Sequence, residues 1–131
     1  MTPEHANELF YRAFRTQDAS LMRAVWAHSA DVTCIHPGWG PVRGYLPVLR
    51  SWAAILGQPN SPDITYRLLT CHQAGEMAYL VCEEQVEGHR LIATNVFRRE
   101  ADLWKLMLHQ AGPASEGLAE EFNEDDHIVY H

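Results

Sequence analysis

His36, the histidine before a turn rich in proline and glycine, is the residue in this chain best suited to proton transfer. It shares strand parity with Val32 and Cys34, and it precedes Pro37, which biases its backbone towards an extended conformation. A histidine that titrates near neutral pH can take up and return a proton efficiently. We therefore predict His36 as a general base. A structural role, in which its ring bonds a loop carbonyl and shapes the turn, stays open.

Asn95 is the second candidate, because its polar amide stands on an apolar strand parity with Leu91, Ala93 and Phe97. A buried amide must find hydrogen-bond partners, and its NH2 group can donate to a carbonyl oxygen or to a developing oxyanion. We predict Asn95 as the catalytic donor. The alternative is an amide that bonds neighbouring groups and fixes the register of its strand.

Several aromatic side chains and one further histidine are predicted to line a substrate pocket. Trp26 and Trp52 stand on helical stripes, where an aromatic side chain more often belongs to the core. Trp39 stands in a loop between glycines and suits a mobile lid. His109 shares a predicted face with Lys105 and fits either a pocket wall or a subunit interface. The predicted substrate-binding set is Tyr11, Trp26, Trp39, Trp52, Phe97 and His109.

Glu84 is a weaker candidate, on the apolar parity of a strand that also contains Leu80 and Cys82. A buried carboxyl group would have a raised pKa and could serve as a general acid. A salt bridge to Arg90 or Arg98 is the plainer explanation for its position.

The sequence predicts no metal site and no cofactor. Cys34 with His36, and Cys71 with His72, supply too few ligands at useful spacing for zinc. The chain has no GxSxG motif, no phosphate loop and no dinucleotide fingerprint.

Three helices are predicted to position these residues. The first begins after the N-cap Thr2, the second begins after Asp18, and the third extends from Gly44 to Gly57. Segment 36–41 contains too much proline and glycine for regular structure, so it forms the turn between a short strand and the third helix.

The second half of the chain changes to the period of β-strands. Four segments rich in Tyr, Val, Leu, Ile and Thr are separated by short turn signals, which implies antiparallel neighbours. Helices first and a meander afterwards predict the α+β class, with three N-terminal helices packed on one face of the sheet. The predicted strands are 63–72, 77–86, 90–99 and 103–111.

The last two predicted strands are apolar on both faces. In 90–99, one parity ends with Phe97, while the other includes Ile92 and Val96. A sheet that is apolar on both faces needs a second cover. We therefore predict a homodimer through the sheet face.

Length and charge narrow the class of protein and its partners. The chain has 131 residues, the size of one domain, and its net charge of −7 argues against nucleic acid or an anionic membrane as a partner. The N-terminus carries no signal sequence, and three cysteines without a CxxC pair are typical of a reducing compartment. We expect a soluble cytoplasmic protein that binds an apolar small molecule.

Three segments carry a family resemblance: CIHPGWGPVRGYLPVLRSWAAIL, ATNVFRRE and WKLMLHQAGP. With them the chain resembles the SnoaL-like branch of the nuclear transport factor 2-like superfamily, which has a cystatin-like, ketosteroid-isomerase-like fold. The resemblance implies a cone, in which a strongly curved mixed or antiparallel sheet encloses an apolar cavity. It covers about residues 4–113, so we expect a domain at 1–113 and an acidic C-terminal tail at 114–131.

The resemblance also implies reaction classes and places for site residues. Relatives include steroid isomerases, polyketide cyclases, epoxide hydrolases and dehydratases, beside modules without chemistry. The general base of the steroid isomerases resembles the position of His36, and their carboxylic-acid donor lies near Asn95. This chain departs from the pattern at Phe10, where those enzymes place a tyrosine. It departs again at 108–110, which keeps only His109 from a run of histidines.

Two functions are expected on this basis. The first is an isomerase, cyclase, dehydratase or hydrolase that uses His36 as general base on an apolar carbonyl or hydroxyl compound. The second is a non-catalytic dimeric module for ligand binding or assembly. The pairing of His36 with Asn95 favours the enzyme, whereas Phe10 and the shortened histidine run favour the module.

Overall fold

The computed structural model of the protein describes residues 1–115. Three helices and two short strands precede four long strands, in the predicted order apart from the second short strand. The predicted tail 114–131 lies outside the described residues, apart from its first two. The helices are α1 (Pro3–Arg15), α2 (Ala19–Val25) and α3 (Tyr45–Leu56), and the strands are β1 (Thr33–Ile35), β2 (Val42–Arg43), β3 (Ile64–Ala74), β4 (Met77–Val86), β5 (His89–Glu100) and β6 (Leu103–Pro113).

Capping residues set the beginnings of the helices, as predicted. The Thr2 hydroxyl oxygen accepts a hydrogen bond from the His5 N–H at 3.1 Å. Asp18 Oδ1 accepts one from the Leu21 N–H at 2.9 Å. Gly44 precedes α3 with a φ of 96°, a left-handed conformation that costs little for glycine alone.

The six strands form one mixed sheet in the order β2-β1-β6-β5-β4-β3. Strands β3 to β6 form an antiparallel meander, whereas β1 runs parallel to β6 and antiparallel to β2. The predicted α+β class is confirmed. Strand β2 was not predicted, because two residues are too few to show an alternating pattern.

A β-bulge at Met107 changes the face on which β6 presents its side chains. Before the bulge, Lys105 pairs with Arg98; after it, His109 pairs with Asn95. Because the extra residue shifts the alternation, Lys105 and His109 lie on opposite faces of the sheet. The predicted shared face of these two residues is therefore wrong, and His109 faces the helices.

The helices cover one face of the sheet, and the core lies between them. Phe10, Trp26 and Phe97 are among its fully buried side chains. The outer face of the sheet is only partly buried, with Met77 and Tyr79 41% and 43% exposed. Within residues 1–115, no helix has the length and hydropathy needed to cross a membrane.

Candidate functional site

A cavity of about 180 Å³ lies between the helices and the inner face of the sheet. An apolar cavity of roughly 150 Å³ is enough to hold benzene. The space therefore matches a molecule with one ring. Its wall contains three titratable side chains, His36, Glu84 and His109, and is completed by Phe14, Pro37, Trp39, Trp52, Ile55, Val86, Leu91 and Ala111.

Strand β1 and helix α3 together orient His36, which is 3% exposed. Its Nε2 lies 2.9 Å from Ser51 Oγ, and the Ser51 hydroxyl donates to the carbonyl oxygen of Val48 at 2.6 Å. Because a hydroxyl has one hydrogen, Ser51 Oγ accepts from the His36 Nε2–H. Neutral His36 therefore keeps its lone pair on Nδ1, whose described contact is Cys34 Sγ at 4.0 Å.

Aromatic rings enclose the imidazole of His36. The ring centroids of Trp39 and Trp52 lie 4.7 and 4.8 Å from it. Burial disfavours the charged imidazolium and lowers the pKa of His36 from 6.5 to about 4. His36 is therefore neutral at physiological pH, but it is a weaker base than a histidine that titrates near neutrality.

His109 faces the cavity from β6, with its orientation set by Asn95 on the neighbouring strand. His109 Nδ1 lies 2.5 Å from Asn95 Oδ1, which can only accept, so the proton is on Nδ1 and the lone pair on Nε2. Burial, followed by the nearby charge of His36, lowers the pKa of His109 to about 3. The position on the inner face places His109 in the pocket wall and not at a surface between subunits.

Asn95 is fully buried behind the cavity and does not line it. Its Nδ2 donates to Asn7 Oδ1 at 2.8 Å and to Tyr11 Oη at 3.3 Å, while its Oδ1 accepts from His109. Both amide hydrogens are thus used within the core. The structure does not present an Asn95 N–H to a ligand, and the contacts match the alternative of an amide that bonds its neighbours.

Tyr11 links this network to Glu84, which is 1% exposed. The Tyr11 hydroxyl donates to Glu84 Oε2 at 2.6 Å. Burial raises the pKa of Glu84, and the hydrogen bond from Tyr11 partly opposes that rise. The expected salt bridge from Glu84 to an arginine is wrong, because Arg90 pairs with the adjacent Glu83 at 2.7 Å on the other face.

The predicted substrate-binding residues divide into two groups. Trp39, Trp52 and His109 line the cavity, and Trp39 is 50% exposed beside it. The other three, Tyr11, Trp26 and Phe97, are fully buried and lie outside its wall.

Sequence reasoning missed two polar residues of the network, Asn7 and Ser51. Asn7 donates from Nδ2 to Cys82 Sγ at 3.4 Å, and Ser51 orients His36. Each stands on the apolar stripe of its helix, since Asn7 precedes Phe10 by three residues and Ser51 follows Val48 by three. A polar side chain within an apolar helical stripe was the sequence signal that could have identified both residues.

Comparison with known proteins identifies relatives over most of the chain. The family model described as SnoaL-like domain matches residues 4–115. A solved structure from Thiobacillus denitrificans, named for the calcium/calmodulin-dependent protein kinase type II association domain, is 32% identical, with a TM-score of 0.81. The match covers 87% of this chain and 96% of that one.

Two further solved structures are similar. A Streptomyces avermitilis protein, named as a dehydratase of the NTF2-like family, is 34% identical with a TM-score of 0.75, covering 86% of this chain and 93% of that one. A ketosteroid isomerase-like protein from Erwinia carotovora atroseptica is 15% identical with a TM-score of 0.70, covering 86% and 93%, and shows likeness in fold alone. No curated protein matches this chain.

Proposed function

Because this chain belongs to the SnoaL-like domain family, we propose that it binds a compact apolar molecule and catalyses proton transfer on it, with His36 as general base. The reaction classes are isomerisation, cyclisation, dehydration and hydrolysis of a carbonyl or hydroxyl compound. Dehydration is favoured by the relative named as a dehydratase. The observation that carries the proposal is a histidine in the wall of a one-ring cavity, whose Nε2–H is bonded to Ser51 and whose lone pair is therefore on Nδ1.

In this mechanism, His36 Nδ1 takes a proton from the carbon next to a substrate carbonyl group. The imidazolium that forms keeps its Nε2–H bonded to Ser51, so the ring does not reorient during the transfer. In a dehydration, the imidazolium returns the proton from Nδ1 to the hydroxyl group, which leaves as water as the C–O bond breaks and the alkene forms. Trp39 and Trp52 hold the apolar ring of the substrate and exclude water. Since the pKa of His36 is about 4, the carbonyl group must supply much of the activation of the carbon acid.

Asn95 is a positioning residue in this proposal. It was predicted as the catalytic donor, but its amide hydrogens are bonded to Asn7 and Tyr11. It therefore acts on the substrate through His109, whose ring it orients.

The test uses β-hydroxycyclohexanone, a one-ring compound with both a carbonyl and a hydroxyl group, in deuterated water. Proton NMR follows exchange at the carbon between the two groups and the appearance of alkene signals. We expect His36→Ala to abolish both, while His5→Ala, at an exposed position of α1, keeps them. Turnover that is the same in His36→Ala and in the wild type contradicts the proposal.

A dimeric module without chemistry is the second candidate. The partly exposed outer face of the sheet favours it, as does the relative named for an association domain. In that case, ligand binding survives in His36→Ala and the wild type shows no turnover. We propose a cytoplasmic location for both candidates, supported by the free thiols of Cys34, Cys71 and Cys82, which are typical of a reducing compartment.

A further inference from the structure

We propose that this cavity selects a one-ring alcohol or phenol over the matching ketone or ether. The inference rests on the proposed function in using the same cavity, and it names the substrate group that the cavity recognises, which is a hydroxyl group. It follows from the hydrogen bonds behind the cavity wall, which assign a donor or an acceptor role to each titratable group that a ligand meets.

Ser51, which lies behind the cavity wall, makes His36 a hydrogen-bond acceptor towards a ligand. Ser51 cannot donate to the ring, because its hydroxyl hydrogen is directed to the carbonyl oxygen of Val48 at 2.6 Å. The His36 Nε2–H therefore donates to Ser51, and the other ring nitrogen keeps its lone pair. A ligand that approaches Nδ1 must bring a hydrogen.

His109 is assigned the same role through a different element. Its Nδ1–H is used by Asn95 Oδ1, and Asn95 cannot reverse alone, because its NH2 group already serves Asn7 and Tyr11. Nε2 of His109 has no partner among residues 1–115 and keeps its lone pair. The second histidine also requires a hydrogen from the ligand.

Glu84 is the titratable group of the described wall whose role changes at a pH above the lowered pKa values of both histidines. Its Oε2 accepts from Tyr11, which leaves Oε1 without a partner among the described residues. Neutral Glu84 can donate from Oε1, whereas the carboxylate can only accept. Five other titratable groups surround Glu84: Tyr11 from α1, Tyr66 from β3, Cys82 on its own strand, and His36 and His109 across the cavity. The residues that α3 and β5 contribute to this wall are not titratable: Trp52, Ile55 and Leu91.

A hydroxyl group can form hydrogen bonds to this wall in either state of Glu84, whereas a ketone can do so only with neutral Glu84. A hydroxyl donates to a histidine nitrogen and accepts from neutral Glu84 at the same time. A ketone or ether oxygen only accepts, so it leaves both histidine nitrogens unpaired and loses its single donor when Glu84 ionises. The indole Nε1–H of Trp52 does not replace that donor, because the nitrogen is fully enclosed by the residues that the structure describes and is not accessible from the cavity. Leaving buried polar groups unpaired is costly, and sites of this kind reject the ligand that lacks the hydrogen.

The experiment compares two pairs of probes of nearly equal volume, cyclohexanol with cyclohexanone and phenol with anisole, by titration calorimetry. We expect each hydroxyl probe to bind at least about tenfold more tightly than its partner. The affinity of cyclohexanone should fall further as the pH rises through the pKa of Glu84, while that of cyclohexanol should not. Equal or tighter binding of the ketone overturns the proposal, as does failure of all four probes to bind.

A variant and a spectroscopic measurement test the cause. Glu84→Gln keeps an acceptor for Tyr11 and supplies a permanent donor, so the preference for the alcohol should narrow and lose its pH dependence. The control Glu83→Gln, on the outer face of the same strand, should change neither the preference for the alcohol nor its pH dependence. Nitrogen NMR of labelled histidines should show neutral His36 protonated on Nε2 and neutral His109 on Nδ1, and the opposite form of either ring overturns the assignment.

The outcomes separate this proposal from the proposed function. Selective alcohol binding without turnover leaves the ligand class standing and removes the enzyme. Turnover that depends on His36, together with a preference for the ketone, supports the enzyme and overturns the proposed ligand class.

Discussion

Asn95 on β5 and His109 on β6 are direct cross-strand partners, with Asn95 Oδ1 2.5 Å from His109 Nδ1. The same amide donates to Asn7 and Tyr11 on α1, so the contact joins the first helix to the cavity wall. A buried network in which every member is bonded holds its side chains rigidly. The orientation of His109 is therefore set by residues that a ligand does not touch.

Replacing Asn95 with leucine should destabilise the fold by about 2–4 kcal/mol, because Asn7 and His109 lose buried partners. Urea unfolding followed by circular dichroism measures the change. Thr94→Ala, one position along on the outer face, is the control and should cost less than about 1 kcal/mol. A cost for Asn95→Leu as small as that of the control would show that the network contributes little to stability.

The pH profile of turnover should reflect the lowered pKa of His36. The base must be deprotonated to act, so kcat/KM should stay level from pH 7 downwards and fall only as the pH approaches about 4. Initial rates with β-hydroxycyclohexanone over this range measure the profile. A loss of activity centred near the ordinary histidine value of 6.5 would mean that His36 is not the base or is not buried in solution.

Stability should depend on pH through the same residue. The pKa of His36 is lower in the folded than in the unfolded protein, so its contribution to stability is present above pH 6.5 and is lost as the pH falls towards about 4. We expect the difference in unfolding free energy between wild type and His36→Gln to decrease by about 3 kcal/mol between pH 7 and pH 4. Urea titrations at both pH values test this, and a difference that stays the same at the two pH values would contradict the burial of His36.

Two tryptophans predicted for the pocket should respond differently to truncation. Trp39 is half exposed beside the cavity, so Trp39→Ala should change stability little and speed the dissociation of cyclohexanol, if the ring acts as a lid. Trp26 is fully buried away from the wall, so Trp26→Ala should cost about 3–5 kcal/mol. Stopped-flow and urea unfolding provide the two readings, and an unchanged dissociation rate in Trp39→Ala would contradict the lid.

The outer face of the sheet should hold the proposed homodimer together. Tyr79 is 43% exposed there and pairs across strands with Val96. Introducing a charge with Tyr79→Glu should dissociate the dimer, as measured by sedimentation velocity. Leu46→Glu is the matched control, because Leu46 is an exposed apolar residue on α3. A wild-type monomer, or dissociation by Leu46→Glu alone, would contradict an interface on this face.

Short-range signals in the sequence determined the elements and much of what they bury. The capping residues Thr2 and Asp18 bond to backbone groups three residues away, so local spacing was enough to predict where α1 and α2 begin. Strand alternation likewise depends only on neighbouring positions, and it correctly predicted that Asn95 and Glu84 lie on the inner face. The alternation failed at His109, because the bulge at Met107 shifts the parity and has no residue signature in β6.

The tertiary structure alone decided which residues form the site and what each nitrogen does. The parallel pairing of β1 with β6 brings His36 and His109 to one cavity, and nothing in their separate segments predicts that pairing. The basic nitrogen of each ring depends on a partner distant in sequence, Ser51 or Asn95, because the partner takes the hydrogen of the other nitrogen. Residue types thus indicated proton chemistry, whereas its donors and acceptors were set by contacts that exist only in the folded chain.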